Sequence, residues 1–126
     1  TNLHSGQAQI LQSAAIGALS DETHVEKMRK LYRKKRETLI PALREANFPK
    51  VYSEGTFYLW AKTPENFSSV SAVKKLLKEI GINSTPGSAL AYECEDSELF
   101  LRFALVPSIE KTEEAAKRLK EEKVFE

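Results

Sequence analysis

A single cysteine, Cys94, stands among the 126 residues. That excludes an intramolecular disulfide and fits a reducing compartment, so the cytoplasm is the expected location. Net charge is equally scarce. Lys and Arg number 19 against 18 Asp and Glu, leaving +1, too little for a global field that would draw the protein to nucleic acid or to an acidic membrane. No apolar run approaches the roughly 20 residues that span a bilayer, and no basic-then-apolar leader opens the chain. Internal repeats and low-complexity segments are lacking too. His4 and His24 have no metal-ligand spacing to each other or to Cys94, so no metal site is expected. There is no G-x-S-x-G elbow, and the serines read as caps and turns. The sequence therefore holds no self-sufficient catalytic centre.

What is present suits one domain-sized unit over residues 1–126, since 41% hydrophobic residues at this length supply one core and not two. The chain opens at Thr1 and moves straight into a helical pattern, as a piece excised from a longer protein would. From Gln7 to Leu19, Ile10, Leu11, Ala14, Ala15, Ala18 and Leu19 recur at helical spacing on an alanine-lined face, with Ser5 available as N-cap. Ser20, Asp21 and Glu22 then read as the cap and acidic first turn of a long helix from Asp21 to about Ala46. Its stripe of Val25, Met28, Tyr32, Leu39, Ala42 and Ala46 is interrupted only by Lys35, and Pro41 is expected to bend it between Glu37 and Pro41. Asn47 to Pro49 ends it. The seven basic residues between Lys27 and Arg36 are laced with Glu26 and Glu37 at four-residue spacing, which favours a solvated helix face over a nucleic-acid surface.

A short strand is expected near Lys50 to Ser53, a turn at Glu54-Gly55, and strong strands over Thr56–Ala61 and Leu99–Val106. Between the strong strands, Ser68 or Ser69 can cap a helix whose Val70, Val73, Leu76, Leu77 and Ile80 form one face, closed by Gly81. Pro107-Ser108 starts a last helix with Ile109, Thr112, Ala115, Ala116 and Leu119 inward. This order predicts an α+β fold, a small and mostly antiparallel sheet packed with about four helices. Both strong strands are apolar on both alternating faces, the pattern of strands covered on two sides. Four helices could cover both, or a further domain could cover one.

Arg102 is the only charge in the second strong strand. A guanidinium does not escape burial by deprotonating, so it needs an anionic partner, and its planar fork matches a carboxylate. The ordinary outcome is an internal pair with Glu93, Glu95, Asp96 or Glu98, or an exposed tip on an edge strand; the other is an external carboxylate or phosphate. Gly81-Ile-Asn-Ser-Thr-Pro-Gly-Ser88 matches neither a phosphate loop nor a dinucleotide fingerprint and reads as a turn leading into a loop.

Four segments in order, Gln12-Ser-Ala-Ala-Ile-Gly-Ala-Leu19, Glu54-Gly-Thr-Phe-Tyr-Leu-Trp60, Gly81 to Ser88, and Leu101-Arg-Phe-Ala-Leu105, together with Leu39-Ile-Pro-Ala-Leu43, resemble the C-terminal small domain of class I/II aminotransferases of the fold-type I, pyridoxal-phosphate-dependent group. The resemblance implies that Arg102 binds the α-carboxylate of an amino-acid substrate. It implies that Gly55 and Phe57 lie on the substrate side, and that the stretch with His4 and Ser5 approaches a neighbouring subunit. It further implies a homodimeric parent that carries pyridoxal phosphate and passes an amino group from an amino acid to a 2-oxo acid. The Schiff-base lysine and main cofactor ligands belong to a large domain ahead of Thr1, so neither catalytic residues, bound cofactor nor activity is expected of this piece alone. The chain departs from the family at Ser53-Glu54, at Leu90 and in the acidic loop Glu93 to Glu98, all bearing on substrate identity. Two alternatives stay open: another fold-type I activity, such as a β-lyase or synthase, and a free-standing α+β protein-interaction module.

Overall fold

The computed structural model describes residue 6, residues 8–91 and residues 93–125. Among them the chain forms two units, one reaching Lys30 and one running from Leu31 onward. In the first unit, helix α1 (Gln9–Leu19) starts at Ala8 without a side-chain cap and buries none of its residues; the expected cap, Ser5, lies outside the described residues. Helix α2 (Thr23–Glu45) begins in this unit. Its Asp21 carboxylate accepts the Thr23 amide at 2.9 Å, and the Thr23 hydroxyl and amide hold that carboxyl below the usual range, as the capping pattern requires.

The second unit carries the rest of α2, which continues through Pro41 to Glu45. Asn47 ends it in the left-handed region at φ 65°, a conformation asparagine tolerates better than most residues. The Phe48 amide then closes on the Leu43 carbonyl, satisfying one of the last orphan acceptors. The strands are β1 (Val51–Tyr52), β2 (Tyr58–Lys62), β3 (Thr85–Pro86) and β4 (Phe100–Ala104), ordered β1-β2-β4-β3 with every neighbouring pair antiparallel. Helix α3 (Ser69–Ile80) connects β2 to β3, and helix α4 (Ile109–Glu121) follows β4. The α+β architecture with a small antiparallel sheet is as the sequence predicts.

Two local signals act as expected. The Ser68 hydroxyl accepts the Ser71 amide at 3.3 Å, and Gly81 closes α3 at φ 66°, its amide and that of Ile82 meeting the Leu77 and Leu76 carbonyls. Ser108 caps α4 by accepting the Lys111 amide. Two expectations need correction. The loop from Gly81 to Ser88 is not a plain turn, because Thr85–Pro86 pairs with β4. The buried side of α3 is Ser69, Ala72, Leu76 and Ile80, while Val70 and Leu77 stay exposed, since positions 69, 72, 76 and 80 make the narrower helical stripe. The buried side chains of the sheet share one face. Leu59, Ala61, Leu101, Phe103 and Leu105 join Leu39 and Leu43 of α2, Leu76 of α3 and Leu119 of α4 in the core. Trp60 and Ala104, on the other face, are exposed. Each buried leucine here contributes about 1.5–3 kcal/mol.

Candidate functional site

The face of the sheet opposite the core follows from strand alternation. Side chains two apart share a face, so Tyr58 and Trp60 of β2 stand beside Phe100, Arg102 and Ala104 of β4. The register puts Trp60 directly opposite Arg102 on one side and Thr85 opposite it on the other. β4 is thus an interior strand, and Arg102 is not the tip of an edge. Its guanidinium lies over the Tyr58 ring, 4.2 Å from the centroid, an arrangement that contributes about 0.5–2 kcal/mol.

Among the described residues no carboxylate comes within ion-pair distance of Arg102, and its guanidinium makes no hydrogen bond. The side chain of residue 95 lies outside those described. No described group takes a hydrogen bond from the N–H donors of Arg102, and those donors are what grip a carboxylate through two parallel bonds. Arg102 opens into a hollow of about 690 Å³ walled by Tyr52, Trp60, Leu90 and Phe100, with Asp96 at its margin. Apolar walls with one convergent cation are the usual make-up of a small-molecule site, and the low local dielectric strengthens the pull on an anion. A second cavity, of about 320 Å³, lies under the helices and includes Arg118. That arginine is already held by Glu114 and the Ile80 carbonyl, so it offers no free fork.

The remaining sequence candidates are less central. Phe57 packs its ring 4.4 Å from that of Tyr58, one ring away from Arg102, but does not line the hollow. Gly55 sits in the exposed turn, with open space where a Cβ would be. The following residue, Thr56, adopts φ 60°, costly for a β-branched residue. Its carbonyl takes a hydrogen bond from Arg36 at 2.7 Å, and its hydroxyl accepts the Tyr58 amide at 3.1 Å. His4 and Ser5 lie outside the described residues. Tyr58, Trp60 and Tyr52 are site residues that sequence reasoning missed. Alternation along β2 put Tyr58 and Trp60 on one face, but nothing local to the sequence said that β4 would lie beside it in this register.

The described residues do not fit pyridoxal phosphate. Lys35 is the only buried lysine among them, and two backbone carbonyls hold its ammonium, so it has no amine free for an aldehyde. Among the described residues no group of three His, Cys, Asp or Glu could hold a metal, and no helix is long and apolar enough to cross a membrane.

The family model for aminotransferases of class I and II matches residues 2–119. The chain is 38% identical over 121 residues to the LL-diaminopimelate aminotransferase of Halothermothrix orenii, covering 95% of this chain and 30% of that protein. Among solved structures, an aminotransferase from Neisseria meningitidis superposes with a TM-score of 0.74 at 33% identity, over 86% of this chain and 28% of that one. An aminotransferase from Staphylococcus aureus superposes with a TM-score of 0.75 at 28% identity, over 97% and 32%. The chain thus spans about 30% of the length of the curated relatives it matches.

Proposed function

Because this chain belongs to the aminotransferases of class I and II, we propose that residues 1–126 are the small, substrate-carboxylate-binding domain of a longer, homodimeric, pyridoxal-phosphate-dependent enzyme. That enzyme moves an amino group from an amino acid to a 2-oxo acid. When bound, the cofactor supplies the electron sink for breaking bonds at the substrate's α-carbon, and the residues that hold it lie outside this chain. Isolated, the chain is inactive.

One observation carries this reading: among the described residues Arg102 has no anionic partner and lines a mostly apolar hollow on the sheet. An internal partner would favour a free-standing interaction module, and among the described side chains Asp96, though it lines the hollow, forms no ion pair with Arg102. An α-carboxylate is the ligand that uses both edge donors at once. Gripping it fixes the α-carbon in one orientation, and orientation converts binding energy into rate. The same contact serves amino acid and 2-oxo acid alike, because both carry the carboxylate.

The test is Arg102→Ala in the full-length enzyme. Removing one partner of a desolvated charged pair is expected to lower kcat/KM by on the order of 2 to 5 kcal/mol, about 30-fold to a few thousand-fold. A loss below about threefold would rule out the carboxylate role.

A further inference from the structure

Lys35 interrupts the apolar stripe of α2, is buried, and has no carboxylate within ion-pair distance among the described residues. A buried ammonium is tolerated only when its donors are satisfied. Here Nζ donates to the Leu105 carbonyl at 2.8 Å and to the Pro107 carbonyl at 2.5 Å, and it sits 5.2 Å from the centroid of the Tyr32 ring.

From these contacts two routes lead to Arg102. Along the backbone, the Leu105 carbonyl is held by Lys35 while the Leu105 amide donates to the Phe57 carbonyl at 2.8 Å. The peptide units just beyond β4 are thereby tied to α2 and to the residue leading into β2. Through side chains, the Tyr32 and Phe57 rings lie 6.3 Å apart, those of Phe57 and Tyr58 4.4 Å apart, and the Arg102 guanidinium 4.2 Å over Tyr58. One route ends on the strand that carries Arg102, the other on the ring beneath it.

We infer that Lys35 is a positioning residue for Arg102, setting the direction of its fork through the end of β4 and through the Tyr32, Phe57 and Tyr58 rings. A core-filling role would call for an apolar side chain at this place in the stripe. What the ammonium adds is direction, because each N–H has a fixed acceptor. A two-bond carboxylate contact is sensitive to direction, and a misplacement of about 1 Å costs up to about 100-fold in rate. The inference rests on the reading of Arg102 as the carboxylate ligand.

The experiment is a double-mutant cycle in the full-length enzyme with Lys35→Met, Arg102→Ala and the pair, with folding and cofactor content checked by thermal unfolding and absorbance. Lys35→Met is expected to lower kcat/KM for the amino acid by about 5- to 30-fold, mostly through KM, because it disturbs binding of the carboxylate. In the Arg102→Ala background the same change is expected to cost less than about twofold, since coupled residues are non-additive. A merely structural lysine would cost as much with Arg102 absent as present, and that result overturns the inference alone, as does a Lys35→Met enzyme with unchanged kcat/KM. An Arg102→Ala enzyme with unchanged kcat/KM overturns the reading of Arg102 and the inference together. If Lys35→Met does not fold, Tyr32→Leu, which breaks only the ring route, replaces it in the cycle under the same criteria.

Discussion

Gly87→Ala probes how the loops around the hollow are held together. A Cβ built on Gly87 meets the Ser97 carbonyl oxygen well inside contact distance and the Phe100 carbonyl oxygen at 2.7 Å. Both obstacles are backbone. Phe100 is further tied by its pairing with Lys62 at the start of β4, so neither can swing aside as a flexible side chain would. Relief requires Phe100 to retreat by about half an ångström and Ser97 by more, and overpacking of this kind costs about 1–3 kcal/mol. Against it stands the loss of unfolded-chain freedom, which makes glycine-to-alanine changes stabilising by about 0.4–1 kcal/mol where the backbone accepts them. The backbone of Gly87 does not lie in the left-handed region, so the clash alone opposes that gain. The net expectation is a destabilisation of up to about 2.6 kcal/mol. At an m-value of about 1.5 kcal/mol/M this lowers the urea midpoint by up to roughly 1.7 M. The assay is urea unfolding followed by fluorescence of Trp60, the only tryptophan in the chain, whose native signal should also change because it shares the hollow with Phe100. A raised midpoint would refute the reasoning, since it would mean that the 95–100 segment yields at no cost.

Gly17→Ala is the opposite case. Gly17 lies within α1 with nothing within 4 Å of an added Cβ, so the change should raise far-ultraviolet helicity, alanine being favoured by about 1 kcal/mol in a helix interior; a loss of helix signal would show that the position is not free. Glu110→Gln tests an electrostatic anchor at the start of α4. A hydrogen bond from the Ser108 hydroxyl, followed by the residue's own amide and the charges of Lys34 and Lys35, holds the Glu110 carboxyl below its ordinary value. A depressed carboxylate contributes stability that is fully present above its unfolded value and is lost as pH falls through its folded value. The difference in urea midpoint between the native chain and Glu110→Gln should therefore be present at neutral pH and close on acidification; a gap that widens toward acid would contradict this.

Much of the secondary structure was legible because its signals are local. Ser68, Gly81 and Ser108 satisfy helix-end donors and acceptors a few residues away, so the sequence around them contains both partners of each hydrogen bond. Alternation put Leu59 and Ala61 on one side of β2, and Tyr58 and Trp60 on the other. The stripe of α2 likewise pointed Leu39 and Ala42 inward and left Lys35 as an anomaly. Arg102 stood out as a lone charge in an apolar strand, and the resemblance of four ordered segments gave it a carboxylate to bind.

The rest depended on contacts between residues far apart in sequence. Thr85–Pro86 is a strand only because β4 supplies its hydrogen-bond partners, so two residues with turn chemistry carried no strand signal of their own. The α3 face was drawn too wide because apolar character alone does not say which side meets the sheet; Ser69 turned inward to meet the Ser88 hydroxyl at 3.1 Å, while Val70 and Leu77 stayed out. Choosing among an acidic-loop partner, an edge position and a free fork for Arg102 required the register that sets it between Trp60 and Thr85 and over Tyr58. What the sequence by itself determined was where the main helices and the two strong strands would form, and that Arg102 stood out as a lone charge in an apolar strand. The tertiary structure alone decided that Arg102 lines a hollow and that Lys35 is tied to the same strand, because pairing register and cross-element contacts join residues about 20 to 70 apart, beyond the reach of any local pattern.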